Sequence, residues 1–209
     1  MTDFGGSALR RFLDDLASSA PTPGGGTAAA VAGAMGAALA EMVAALTLGR
    51  EKYASSHEAM RPIAEAAAAA RTSLLDLSRQ DSEAFDDVVA ARRLPKTTDE
   101  EKAARDAKIA AANLRAAQVP LETARTAAGL LELIPELAEK GNPNAASDAG
   151  SAALLLEAAV QGALLNVAIN LAGLSDSDLS EEIREEAETL QVDSSRLRDR
   201  ALEIARGRI

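Results

Sequence analysis

The sequence predicts an all-α fold, an antiparallel bundle of five to six helices with two buried central helices. Residues 28–48 and 150–171 predict the central pair, because both segments are almost entirely apolar or small. The other long segments carry apolar residues at helical spacing, and strand-like alternation is almost absent. The length of 209 residues allows one substantial core, so we expect a single helical domain over residues 1–209.

Composition and charge argue against several classes of function. The chain contains no cysteine, which excludes thiolate nucleophiles, cysteine-ligated zinc and disulfides and fits a cytoplasmic protein. A net charge of −10 and an aromatic content of 2% argue against a nucleic-acid surface. No signal peptide is visible at the N-terminus. We therefore expect a cytoplasmic protein without a nucleic-acid partner.

The first apolar segment has the length of a membrane span, which is the alternative to a buried helix. Alanine and glycine contribute little to membrane insertion, and Glu41 interrupts the run. We therefore expect a helix in the core of a bundle and no membrane partner.

The N-terminal half predicts three helices. Apolar residues at positions i, i+3, i+4 and i+7 predict a short amphipathic helix over residues 7–17. The first apolar helix follows the turn at 21–27 and ends at a polar break, 49–57. A long helix over 58–91 comes next and stops at the Leu-Pro-Lys segment, 94–96.

Helix start and stop signals divide the C-terminal half. Thr98 and Glu101 form a capping box, and the helix that they begin is predicted to reach Glu139 with a kink at Pro120. Gly141 is a natural stop.

The second apolar helix then runs over 150–171, with Ser147 or Asp148 as its N-cap. The last helix, 178–206, carries charged residues opposite an apolar side and is predicted to lie on the outside.

The turn at 21–27, PTPGGGT, begins with residues that restrict the backbone and continues with glycines that allow many backbone conformations. Proline holds the approach extended, and the three glycines are expected to allow positive φ and a close approach to another group. Thr27 or a glycine before it can cap the helix. A phosphate-binding loop is disfavoured, because no strand precedes the glycines and no Gly-Lys-Ser/Thr follows them.

Asn166 and Asn170 are polar residues on one stripe of an otherwise apolar helix. Buried amides must find partners, so they either form hydrogen bonds between helices or line a ligand pocket. Asp81 and Phe85 share one helix face, where the acid is either functional or simply solvated. Asp148 lies close to Asn144 at a loop-to-helix junction, where a cap is the alternative to a functional role.

Several short motifs follow one another along the chain. They are PTPGGGT (21–27), LTLGREKY (46–53), DSEAF (81–85), LPK (94–96), VP (119–120), GNPN (141–144) with SDAG (147–150), and NVAIN (166–170). In this order they resemble the cyclodeaminase/cyclohydrolase family. That family comprises the cyclodeaminase half of formiminotransferase-cyclodeaminase and stand-alone bacterial methenyltetrahydrofolate cyclohydrolases. The resemblance spans nearly the whole chain, from Phe12 to the last helix.

The resemblance implies an all-helical homodimer that acts on one-carbon folates. No metal or redox cofactor is implied, and the tetrahydrofolate derivative is the substrate. Asp81 and Asp148 are the two candidate catalytic acids. The implied substrate-binding residues are Pro23, Gly24, Gly25, Gly26, Thr27, Lys52, Tyr53, Lys96, Asn144, Asn166 and Asn170. Among them, Lys52 and Lys96 are the cations expected to anchor the carboxylates of a polyglutamylated folate.

The implied chemistry suits this composition. In 5,10-methenyltetrahydrofolate the bridging carbon is already an amidinium-like cation, so water attacks it without help from a metal. A nearby carboxylate favours the cation and accepts the proton of the attacking water.

Hydrolysis to 10-formyltetrahydrofolate is the favoured activity, because the chain lacks a formiminotransferase half and its segment before the glycine turn resembles the stand-alone cyclohydrolases. Cyclodeamination of formiminotetrahydrofolate with release of ammonia is the alternative, and a non-enzymatic helical scaffold is the third hypothesis.

Overall fold

The computed structural model describes residues 8–172 and 178–209, and the predicted all-α bundle is confirmed. This part of the chain forms seven α-helices, with two 3₁₀ turns and no strand. The helices are α1 (Ala8–Leu16), α2 (Gly25–Leu48), α3 (His57–Arg92), α4 (Asp99–Leu131), α5 (Ile134–Lys140), α6 (Ala146–Leu171) and α7 (Asp178–Arg206). The 3₁₀ turns are Glu51–Ser56 and Pro143–Ala145.

Helices α2 and α6 form the predicted central pair and run antiparallel. Gly36 faces Leu156 near the midpoint of the two helices. Closer to the start of α2, Ala29 faces Gly162 in the C-terminal half of α6. A Cβ placed on Gly36 would lie 2.9 Å from Leu156 Cγ, so the missing side chain allows the two backbones to approach closely. Helix α3 packs beside α2, α4 packs against α3 and α6, and α7 covers α6 from outside.

Both central helices meet the length and composition expected of membrane spans. In Gly25–Leu48 half of the apolar window is buried inside the fold, and in Pro143–Leu171 the share is 44%. The one acid in the first helix, Glu41, receives a hydrogen bond of 2.8 Å from Arg71 of α3. Core helices of bundles pass the same test of length and composition.

The prediction of one helix from residue 98 to 139 is wrong, although its capping box is confirmed. Thr98 Oγ1 accepts the Glu101 N–H, and the Glu101 carboxylate accepts the Thr98 N–H, each at 3.2 Å. Helix α4 continues through Pro120 and ends at Leu131. The break precedes Pro135, which has no N–H to donate and whose ring would clash with the carbonyl four residues earlier.

The start of α6 also differs from the prediction. The helix begins at Ala146 rather than at Gly150, its N-cap is Ala145, and no side chain caps it. The Asn142 side chain instead accepts the Asn144 N–H at 3.1 Å and closes the preceding turn. Asp148 therefore lies inside the first turn and is not the cap.

Helix α1 confirms the short amphipathic helix, although its predicted first residue, Ser7, lies outside the described residues. No residue of α1 is buried, and Leu9 and Leu13 are about half exposed at 46% and 51%. Leu9 and Leu13 on the apolar face of this helix are therefore largely uncovered by the rest of the described chain, whereas Phe12 and Leu16 are partly covered.

Gly36→Ala tests the close contact of the central helices. The added methyl group overlaps Leu156 and the Ala152 carbonyl, so we expect a loss of about 1–3 kcal/mol in the free energy of unfolding. Gly129→Ala in α4 is the matched control, because a Cβ there meets nothing within 4 Å and should add about 0.5–1 kcal/mol. Urea denaturation measures both variants, and equal effects would contradict the packing argument.

Candidate active site

A cavity of about 320 Å³ lies where the N-terminus of α2 meets α3, α4 and the C-terminal part of α6. The turn before α2 forms one wall. The lining residues are Pro21, Thr22, Gly24, Gly25, Gly26, Asp81, Phe85, Val88, Arg92, Asn113, Ala116, Asn166, Ile169 and Asn170. The cavity thus gathers the glycine turn, one candidate acid and two of the three candidate asparagines from distant parts of the sequence.

Asp81 is held by the first turn of α2. The Thr27 hydroxyl donates to Asp81 Oδ2 at 2.8 Å, and the Thr27 backbone N–H donates to the same carboxylate. That N–H is one of the first N–H groups of α2, which have no acceptor within the helix. Ser82 Oγ lies 3.2 Å from Thr27 Oγ1. Because the single Thr27 hydroxyl proton points at Asp81, Ser82 is the donor in that second bond.

The glycine turn works differently from the prediction. None of the described glycines has a positive φ, so the expectation of left-handed backbone at this turn is wrong. What the turn requires is space: a Cβ on Gly26 would lie 2.3 Å from Asp81 Oδ1. The sequence predicted either Thr27 or a glycine before it as the N-cap of α2, and the N-cap is Gly24. The Thr27 side chain binds Asp81 instead.

Burial raises the pKa of Asp81, and this is the largest effect on the group. The side-chain and backbone hydrogen bonds from Thr27 lower the pKa and offset part of the rise. A carboxylate whose pKa lies above its ordinary value is a stronger proton acceptor than an exposed aspartate. The site therefore contains a half-buried acid suited to proton transfer.

The two asparagines present oxygen atoms to the cavity. Asn166 Nδ2 donates to the Gly162 carbonyl at 2.8 Å, and Asn170 Nδ2 donates to the Ala116 carbonyl at 2.6 Å. A carbonyl can only accept, so each partner fixes which end of the amide is nitrogen. The remaining Oδ1 atoms are acceptors without a partner among the described residues. The sequence left two alternatives for these residues, a hydrogen bond between helices or the lining of a pocket. Asn170 forms such a bond, and both residues line the cavity.

A second polar cluster lies at the opposite end of the central helices. The Tyr53 hydroxyl donates to Asn142 Oδ1 at 2.8 Å, and the Asn142 N–H donates to the buried Thr47 hydroxyl at 2.8 Å. Lys52 Nζ lies 4.6 Å from the centre of the Tyr53 ring. Asn144, whose N–H also binds Asn142, and Asp148 belong to this end. We call these residues the distal cluster.

The structure does not bring the distal cluster to the cavity within one chain. Asn166 lies eighteen residues after Asp148 on the same continuous helix, which corresponds to about 27 Å. Gly24, Gly25, Gly26, Asp81, Asn166 and Asn170 line the cavity, Thr27 binds Asp81, and Pro23 lies between two lining residues. Lys96 is exposed in the turn after α3 and does not line it.

Sequence reasoning did not name three polar residues of the cavity as site residues: Thr22, Arg92 and Asn113. Arg92 could have been found, because Asp81, Phe85, Val88 and Arg92 follow the spacing of one helix face. Asn113 carries no such signal, since only the packing of α4 brings it to the site. Within residues 8–172 and 178–209, no three His, Asp or Glu side chains cluster closely enough to hold a metal ion.

Comparison with known proteins gives consistent matches. The family model described as formiminotransferase-cyclodeaminase matches residues 8–189. A methenyltetrahydrofolate cyclohydrolase of Methylorubrum extorquens is 45% identical over 98% of this chain and 99% of its own length. The formimidoyltransferase-cyclodeaminase of Sus scrofa is 40% identical over 87% of this chain and 34% of its own length. A crystal structure described as formiminotetrahydrofolate cyclodeaminase from Thermotoga maritima superposes with a TM-score of 0.85, 36% identity and 96% coverage of each chain.

Thr27→Val tests the control of Asp81. The variant removes the hydroxyl bond that favours the ionised carboxylate, so we expect the pKa of Asp81 to rise above its value in the unmodified protein. NMR titration of the carboxyl carbon measures it. Thr27→Ser is the control, because it keeps the hydroxyl and should leave the pKa unchanged. A pKa that stays the same in both variants would contradict the role of this hydrogen bond.

Proposed function

Because this chain belongs to the formiminotransferase-cyclodeaminase family, we propose that it is a methenyltetrahydrofolate cyclohydrolase, which converts 5,10-methenyltetrahydrofolate to 10-formyltetrahydrofolate. The observation that carries this choice is the 45% identity, over nearly the full length of both chains, with the cyclohydrolase of Methylorubrum extorquens. The half-buried Asp81 in the cavity supports it, because the reaction needs one proton acceptor beside a cation.

The geometry supports a mechanism that needs only a carboxylate and water. The Asp81 carboxylate attracts the amidinium-like carbon and accepts a proton from water as the oxygen attacks that carbon. The bond from that carbon to N5 then breaks, and Asp81 returns the proton to N5. The hydroxyl proton of the intermediate leaves to solvent as the formyl carbonyl forms, so hydrolysis of the cation releases one proton overall.

Cyclodeamination of formiminotetrahydrofolate is the second candidate, and one observation favours it. The Thermotoga maritima structure described as a cyclodeaminase matches this chain over 96% of both lengths. The argument from a missing formiminotransferase half, used in the sequence analysis, therefore does not separate the two reactions. The names of the relatives are those of folate enzymes, so we do not retain the scaffold hypothesis.

We also propose that the enzyme is a homodimer joined along α2 and α6. These central helices leave large apolar side chains uncovered, including Met35, Met42, Leu154, Leu165 and Ile169. Leu165 and Ile169 are 74% and 73% exposed, which is unusual for neighbouring residues on a core helix. A second copy of the same face would cover them with a self-complementary surface.

An antiparallel two-fold pairing would also complete the active site. The cavity and the distal cluster lie at opposite ends of the same two helices, so a two-fold axis at their midpoint brings each cavity to the partner's distal cluster. The cavity of about 320 Å³ is at the small end of the range for ligand pockets, which leaves part of a folate outside it. Each of the two sites would then combine Asp81 of one subunit with the distal cluster of the other.

The reaction itself is the first test. We expect the purified protein to remove the near-ultraviolet absorbance of the methenyl substrate much faster than buffer does, with little ammonia released from the formimino substrate. Asp81→Asn should slow hydrolysis by about 10²–10⁴-fold, because it removes the general base without changing shape. Asp86→Asn, at an exposed aspartate on the same helix, is the control and should keep full activity. Ammonia release without methenyl hydrolysis would instead establish the second candidate.

Subunit complementation tests the shared site. Asp81→Asn and Asp148→Asn homodimers should both be slow, but a purified heterodimer with one change per subunit should recover about half of the unmodified rate, since one of its two sites is intact. The control heterodimer carries both changes on one subunit and pairs it with an unmodified subunit. Here both shared sites are damaged, so we expect almost no activity.

The control distinguishes the two arrangements because a site contained within one chain would leave its unmodified subunit active. Half activity in that control would therefore contradict sharing. A fully active monomer at micromolar concentration, seen by analytical ultracentrifugation, would contradict the dimer itself.

A further inference from the structure

We propose that the Arg92 guanidinium binds the carboxylate of the substrate's glutamate tail at the rim of the cavity and thereby fixes the direction in which the folate enters. This inference rests on the proposed function, because it takes a one-carbon folate as the ligand. It assigns a specificity role to a residue of α3 that the chemistry of the reaction does not require.

One face of α3 changes its chemistry along the cavity. Asp81, Phe85, Val88 and Arg92 follow one another at helical spacing, and all four line the cavity. They present in turn a carboxylate, an aromatic ring, an aliphatic group and a guanidinium. A folate has the same sequence of groups in complementary form: a cationic head with N–H donors, a flat aromatic middle and a carboxylate tail.

The inner end of the cavity favours the head of the folate. Asp81 and the Oδ1 atoms of Asn166 and Asn170 are all acceptors. Acceptors pair with the N–H groups of a pterin and with the methenyl cation, whereas a carboxylate tail there would meet like charge and unpaired oxygens. This arrangement favours entry with the head first.

The position of Arg92 suits the tail. It lies eleven residues after Asp81, which places the two Cα atoms about 16 Å apart. Helical side chains lean toward the N-terminus of their helix, so the long Arg92 side chain leans back over Val88 toward the cavity. The guanidinium therefore stands at the mouth, beyond the aromatic wall that Phe85 provides.

Arg92 is also free to bind an anion. Two other guanidinium groups on or near α3 are occupied, since Arg115 pairs with Asp87 and Arg79 with Asp76. Among the described residues, no carboxylate pairs with Arg92, and it is the one cation that lines the cavity. Residues 91–110 carry six basic and four acidic side chains in a chain of net charge −10, so the segment that contains Arg92 is locally basic and suits a carboxylate.

This assignment changes the expected order of the tail contacts. Lys96 lies four residues beyond Arg92, in the exposed turn after α3 and further from the cavity. Arg92 would bind the first glutamate with its planar fork of donors, and Lys96 would meet only the additional glutamates of a longer tail.

The experiment compares Arg92→Ala with Arg93→Ala, an exposed neighbour that does not line the cavity. With monoglutamyl methenyltetrahydrofolate, Arg92→Ala should raise KM about tenfold and leave kcat nearly unchanged, because the lost contact is the same in the ground and transition states. Arg92→Lys should give an intermediate KM, and Arg93→Ala should behave as the unmodified protein. With the methenyl derivative of tetrahydropteroic acid methylamide, which has neither glutamate nor any other carboxylate, Arg92→Ala and the unmodified protein should have equal KM values.

The outcomes separate this inference from the proposed function. An unchanged KM in Arg92→Ala, or an equal rise with the substrate that lacks glutamate, would overturn the role of Arg92. Calorimetric binding of 5-formyltetrahydrofolate provides a readout without turnover, and its affinity should fall about tenfold in Arg92→Ala alone. If the unmodified protein binds 5-formyltetrahydrofolate about tenfold more tightly than Arg92→Ala but hydrolyses no methenyl substrate, the proposed reaction is wrong and the role of Arg92 in binding the tail is still supported.

Discussion

The close contact between α2 and α6 is the constraint on which the rest of the structure depends. Gly33, Gly36 and Gly162 allow the two backbones to approach until side chains of one helix touch the other directly. That contact places the start of α2 beside the end of α6, so the glycine turn at 24–26 faces Asn166. Helices α3 and α4 then pack on this pair and supply the remaining walls of the cavity. A wider spacing of the central pair would separate the turn from the asparagines.

The site carries a cost in stability that the proposed function explains. Burial raises the pKa of Asp81, because it disfavours the charged form of the carboxylate. The resulting loss of folding stability grows as the pH rises from the pKa of the unfolded chain to the higher pKa of the folded protein. Thr27 reduces the loss with its hydroxyl and backbone N–H. Gly26 gives up helix propensity so that the carboxylate fits. These three features fit the half-buried proton acceptor that we propose at this place.

The length of the central helices explains why the predicted site residues fall into two groups. A continuous helix cannot fold back, so residues near its two ends stay about 27 Å apart within one chain. Two features of the surface support a second copy as the solution. Within the part of the chain that the structure describes, the exposed apolar stripe on α2 and α6 lacks a cover, and so do Leu9 and Leu13 of α1. Antiparallel pairing of two copies would cover these apolar surfaces and would also bring the cavity of each subunit to the distal cluster of the other.

The sequence by itself determined the fold class, the two central helices and most helix ends, because these follow from local hydrophobic periodicity, capping residues and proline. The capping box at Thr98 and the stop at Gly141 are examples in which neighbouring residues contain all the information. The resemblance to the family added the candidate residues, but it could not say which of them meet.

Only the tertiary structure decided that Asp81 binds Thr27, that Gly26 is needed for space rather than for its backbone angles, and that Asn113 joins the site. It also separated Asp148 from the cavity and removed its role as a cap. The physical reason is that these contacts join helices far apart in the sequence. Their distances depend on how closely the helices pack, which no local pattern records.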